Sequence, residues 1–232
     1  MAILEVAYRT PVRWAHPIRR AIESNPILGA RDKAWRKGQL SDLAFAIETR
    51  LSYLPQIVTF IDDNIAELRQ ELLRPVVQLH LRTTSAVDFQ NRKPVDRVLF
   101  GTTAFITESR SCFENLAAFY RYFLETYCDR IITKRRSDNT VARSTGKHAW
   151  ASALYRIRGD LIHARSLFLA YEVNPSETAW APLFSMNWRP GHFGKKDRIE
   201  LRTLADIWEG LHGAASVMRQ KIVRAAATAR RR

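Results

Sequence analysis

The stretch YRIRGDLIHAR, Tyr155 to Arg165, places Arg156, Arg158, Asp160 and His163 within eight residues of an otherwise apolar run. Such a set can be a solvated helix flank, half of a metal site, or a device for handling phosphate. The third use has a simple chemistry. RNA carries its own nucleophile in the 2′-hydroxyl, so cleavage needs a base to take that proton and a cation to hold the extra negative charge on phosphorus. Histidine titrates near neutrality and arginine keeps its charge, so the two residue types suit those two tasks.

Helical geometry sorts the four residues. At 100° per residue, Arg156 and His163 are seven positions apart and lie within about 20° of each other, with Asp160 on the same stripe. Arg158 is five positions before His163 and about 140° round the axis, across the helix from it. The modest use of the same stripe is a surface flank, in which Arg156 and Asp160 form an i, i+4 pair worth a few tenths of a kcal/mol. A metal site is the rival chemistry, because Asp160-x-x-His163 and Glu209-x-x-His212 are both carboxylate-x-x-histidine pairs, with Glu48 and Glu108 on two other helices. Their faces disagree: Glu209 is two residues from the apolar Ile207, about 200° round its helix, and points outward. No metal and no cofactor is therefore expected.

The charge of the chain favours phosphate. Its 232 residues carry 37 Lys and Arg against 23 Asp and Glu, a net charge of +14 with a pI near 10.4. That attracts polyanions over a Debye length or more. The excess is clustered: residues 1–40 hold eight basic and three acidic side chains, 130–147 six and one, and 219–232 six and none. Arginine predominates, and its planar fork binds phosphate bidentately. Lys134, Arg135, Arg136, Arg143, Lys147 and Arg165 are the candidate nucleic-acid contacts. Charge alone also fits an alternative, a catalytically inactive basic helical module that binds nucleic acid or protein.

Four amphipathic stretches must position these residues. From Ser41, a candidate N-cap, an apolar stripe runs Ile47, Leu51, Leu54, Val58, Ile61, Ile65, Leu68 and Leu72, with Pro55 inside it. A second runs Val98, Thr102, Phe105, Ser109, Phe113, Leu116, Tyr120, Phe123, Tyr127; a third Trp150, Leu154, Ile157, Leu161, Ala164, Phe168, Tyr171; a fourth Leu204, Ile207, Leu211, Ala214, Met218, Ile222. The spacing predicts an all-α fold, a bundle of four long helices over residues 41–224, with an irregular basic arm at 1–40 and a basic tail at 225–232. Residues 130–147 lose periodicity and are expected to form a loop. Residues 174–198 are expected to form a loop packed by Trp180 and Trp188, and Thr203 with Asp206 has capping-box spacing for the last helix.

Cys112 and Cys128 fall sixteen residues apart on one predicted helix, about 24 Å, too far to bridge. Without a signal-peptide pattern or a long apolar run, a cytoplasmic protein that does not cross a membrane is expected.

The segment RGDLIHAR resembles the R-x4-6-H signature of HEPN domains, helical bundles that include metal-independent endoribonucleases and RNase-derived toxins. Arg158 and His163 fit the four-residue gap, Arg156 and His163 the six-residue gap. The setting is similar too, with the motif on the penultimate long helix, behind the aromatic-rich ENLAAFYRYFLETY and ahead of a final amphipathic helix; the likeness covers roughly Pro94 to Val223. It departs from the family where Gly159 follows the motif arginine, with Asp160 one place on, and where Arg165 replaces a tyrosine of some toxin members. The resemblance implies that His163 transfers the proton, Arg158 or Arg156 stabilises the phosphate, and Asp160 orients. It also implies cleavage of RNA to 2′,3′-cyclic phosphate ends, a homodimer whose motif helices face each other across a basic cleft, a setting of toxin activity or phage defence, and a neutralising or regulatory partner protein.

Overall fold

The computed structural model describes residues 14–29, 38–72, 74, 92–146, 148–163, 168–173, 180–185 and 198–229. Among them the chain is mostly helical. The helices are α1 (His16–Ser24), α2 (Pro26–Gly29), α3 (Gln39–Leu72), α4 (Lys93–Cys128), α5 (Lys134–Ala142), α6 (Ala149–His163) and α7 (Leu201–Thr228), and the strands are β1 (Phe168–Val173), β2 (Trp180–Ser185) and β3 (Arg198–Glu200). Contacts divide the chain into two units: residues 1–49, 114–141 and 215–232 form one, and residues 50–113 and 142–214 the other. Three long helices contribute residues to both.

Periodicity explains the long helices. On α4, every stripe residue from Val98 to Tyr127 is buried except the half-buried Tyr120, and on α7 the whole stripe from Leu204 to Ile222 is buried. Pro55 lies inside α3, as its place in the stripe requires. The α7 helix starts at Leu201, directly after β3, two residues before the expected Thr203 cap.

In the first unit, α1 and α2 give residues 14–29 of the basic arm a packed helical form. Ile18 and Ile22 are fully buried. Trp14 meets Phe119 edge-on at 5.1 Å and donates its indole N–H to the Ala215 carbonyl at 2.9 Å. Asn25 accepts from the Leu28 and Ile27 amides, capping α2, while its Nδ2 donates to the Ala226 carbonyl at 2.8 Å at the end of α7. One amide thereby satisfies two helix ends.

The basic stretch expected to be a loop contains α5. Thr133 caps it, its hydroxyl accepting from the Arg136 amide at 3.2 Å; Ser137 and Val141 are its buried residues, and Ile132 just before it is buried too. Three cations in the first turn oppose the helix dipole, and this masks the helix in the sequence.

In the second unit, the third amphipathic stretch is shorter than its stripe. The helix stops at His163, and Phe168 and Tyr171 belong to β1. β1 pairs antiparallel with β2, Phe168 opposite Ser185 and Val173 opposite Trp180, and β2 pairs antiparallel with β3. The small sheet takes Phe168–Val173 of the expected helix and Trp180–Ser185 and Arg198 of the expected loop, so Trp180 is a strand residue; the rest of 174–198, Trp188 included, lies outside the described residues. The run FLAYEV is rich in aromatic and β-branched residues, so it satisfies strand pairing as well as a helical stripe. Pro182 stands opposite Tyr171, where, among the described residues, β2 has β1 alone as a neighbour, since β3 pairs with Leu183–Ser185.

Candidate functional site

The α6 helix is built on Trp150, Ala151, Leu154 and Ile157, all buried, with the charged residues on the remaining faces of its last two turns. Arg156 is exposed, and Arg158, Gly159 and Asp160 are half-buried. The helix continues through His163, so the backbone positions of Arg156, Asp160 and His163 share one stripe and Arg158 stands across from it. Of the two gaps, helix geometry brings together the six-residue pair, Arg156 with His163, and leaves Arg158 apart. His163 is the terminal residue of α6.

Among the described residues Gly159 has nothing within 4 Å of the place a Cβ would occupy, so their packing does not require glycine there. Gly210 is different: a Cβ on it would overlap the Trp150 indole. The glycine of α7 lets the buried Trp150 ring, on α6, lie against the helix backbone.

A set of half-buried polar residues joins α3 to α4, which the sequence did not reveal. Arg50 approaches Glu108 at 3.0 Å, and Tyr53 donates to the same carboxylate oxygen at 2.5 Å. Burial, the hydrogen bond to Glu108 and its negative charge push the Tyr53 phenol well above its usual range, against the opposing pull of Arg50. The Cys112 thiol, one turn on from Glu108, is pushed to about 12, first by burial and then by Glu108, with Arg50 acting in the other direction. It is an inert core thiol rather than a nucleophile.

Arg110 is 6% exposed, and its guanidinium carbon lies 3.6 Å from the centroid of the Tyr155 ring on α6 and 5.3 Å from that of Phe113. Phe113 in turn meets Trp150 at 5.9 Å and Tyr155 at 5.5 Å, both edge-on. Arginine and three aromatic rings thus seat α6 on α4. The sequence signal was present as Arg110 at i−3 from Phe113, but a charge beside an apolar stripe reads as solvated until its partner helix is known.

Among the candidate nucleic-acid contacts, Lys134, Arg135 and Arg136 are exposed on α5, and Lys134 pairs with Asp138 at 2.9 Å. Arg143 is exposed in the turn after α5. Lys147 and Arg165 lie outside the described residues. Glu209 and His212 are both exposed on α7, and no group of three or more potential metal ligands occurs among the described residues. Among those residues no helix is long and apolar enough to cross a membrane.

Comparison with protein-family models, with curated proteins and with solved structures finds no match to this chain.

Proposed function

We propose that this protein is a basic helical RNA-binding protein whose α6 carries a HEPN-like, metal-independent endoribonuclease centre. The observation that carries the reading is the continuous helix from Ala149 to His163, which puts the backbone positions of Arg156, itself exposed, and of His163 on one stripe of a chain of charge +14. His163 takes the 2′-hydroxyl proton, and the attacking oxygen then displaces the 5′-oxygen at phosphorus to leave a cyclic phosphate. Arg156 holds the charge that builds on the phosphoryl oxygens. Asp160, between them on the stripe, orients one or the other. Arg158, across the helix, contacts RNA backbone or serves the site of a second copy in a homodimer. The exposed cations of α5 and Arg143 add sequence-independent attraction for the phosphate backbone.

The test is incubation of the purified protein with labelled RNA in excess chelator. Fragments ending in 2′,3′-cyclic phosphate are expected, together with binding that weakens linearly in log affinity against log salt. RNA that stays intact under saturating binding overturns the nuclease centre and leaves a binding module. Absence of salt-dependent binding overturns the RNA reading altogether.

A further inference from the structure

Tyr155 immediately precedes Arg156 on α6 and is 40% exposed, although its ring is anchored by core residues. One face is covered by the Arg110 guanidinium at 3.6 Å, and the Phe113 ring stands against it at an interplanar angle of 82°. Arg110 is buried and Phe113 fully so, which fixes the tyrosine from behind. With Arg110 on one face and Phe113 against it, the residue still keeps 40% of its surface exposed.

We infer that Tyr155 is a stacking platform for one base of a single-stranded RNA, with Arg156 taking the adjoining phosphate. Three properties point the same way. The ring is held in place before the ligand arrives, so little side-chain freedom is lost on stacking. A cation under the inner face draws π-electron density toward itself, which makes the outer face a better partner for an electron-rich purine. The neighbouring exposed arginine and the net charge of +14 complement a polyanion, and a base stacked on an aromatic ring beside a basic groove is how single strands are held without sequence readout. This inference rests on the reading of the protein as an RNA binder and is independent of cleavage.

The experiment compares binding of a short single-stranded RNA with that of a matched backbone lacking its bases, for the parent, Tyr155→Phe and Tyr155→Leu. The parent and Tyr155→Phe are expected to prefer the base-containing strand by roughly tenfold or more, and Tyr155→Leu to lose that factor on this strand while binding the abasic one unchanged. Equal affinities of parent and Tyr155→Leu for the base-containing strand overturn the platform and leave an electrostatic binder. Should Tyr155→Leu not fold, photocrosslinking of 5-iodouridine RNA to the parent decides the matter: a crosslink mapped to Tyr155 supports the platform, and crosslinks only elsewhere overturn it. Stacking without cleavage keeps this inference while removing the nuclease centre. Failure to bind either strand removes both.

Discussion

Arg110 and Arg156 carry the same guanidinium in the same unit and have opposite fates. Arg110 is 6% exposed and packs over the Tyr155 ring and near that of Phe113, whereas Arg156, next to Tyr155 in the chain, is exposed. A guanidinium is weakly hydrated and planar, so it tolerates an aromatic interior that an ammonium would not. The difference teaches that charge in this chain has two uses. On α3 and α4 the polar residues Arg50, Tyr53, Glu108 and Arg110 fasten helices together, while the α5 cations Lys134, Arg135 and Arg136 and the α6 residue Arg156 are exposed.

Four measurements sharpen or break that contrast, starting with the largest effect. Alkylation of Cys112 at pH 8 is expected to run roughly a thousandfold more slowly in the native protein than in the unfolded chain, because its thiol sits near 12 against an ordinary 9.0. The folded state therefore holds a proton that the unfolded state releases, and stability should fall as pH climbs from about 9 toward 12. Rapid native labelling of Cys112, read by mass spectrometry, would break the view of a closed α3–α4 interior. Next, Arg110→Ala removes the packing stem and the cation over the Tyr155 ring and should cost about 2–4 kcal/mol in denaturant unfolding; a loss below about 0.5 kcal/mol would place Arg110 with the surface cations instead.

Gly159→Ala should stabilise the protein by about 0.5–1 kcal/mol, since the added methyl meets only open space inside a helix. A destabilised variant would mean that glycine is required where α6 ends. The smallest effect on folding belongs to Arg156→Ala, within about 0.5 kcal/mol of the parent. Its signature lies in binding: the slope of log affinity against log salt should drop by about one phosphate contact, and an unchanged slope would remove Arg156 from the RNA surface.

The helical fold was legible because α3, α4 and α7 keep an apolar period over many turns, and such periods have few alternative uses. The end of α6 was less so. Phe168 and Tyr171 continue the stripe of Trp150 and Leu154, yet aromatic residues fit a strand as readily, and pairing with β2, remote in the local pattern, determines the outcome. The cations before Val141 disguised α5 for the opposite reason, since its capping Thr133 is a weak local signal against an unfavourable first turn. For the candidate site, spacing placed Arg156, Asp160 and His163 on one stripe and Arg158 off it, and the helix through His163 keeps that relation. What spacing could not supply was the ring cluster of Arg110, Phe113 and Tyr155, because its members come from two helices far apart in sequence.

Single-turnover cleavage of a labelled RNA in chelator by the parent, His163→Ala and Arg156→Ala, each shown to melt like the parent, is the most direct test of a ribonuclease centre on α6. Cyclic-phosphate ends are expected from the parent, with the rate falling by 10²-fold or more in both variants. Variants that cleave as fast as the parent would contradict the assignment of chemistry to this helix.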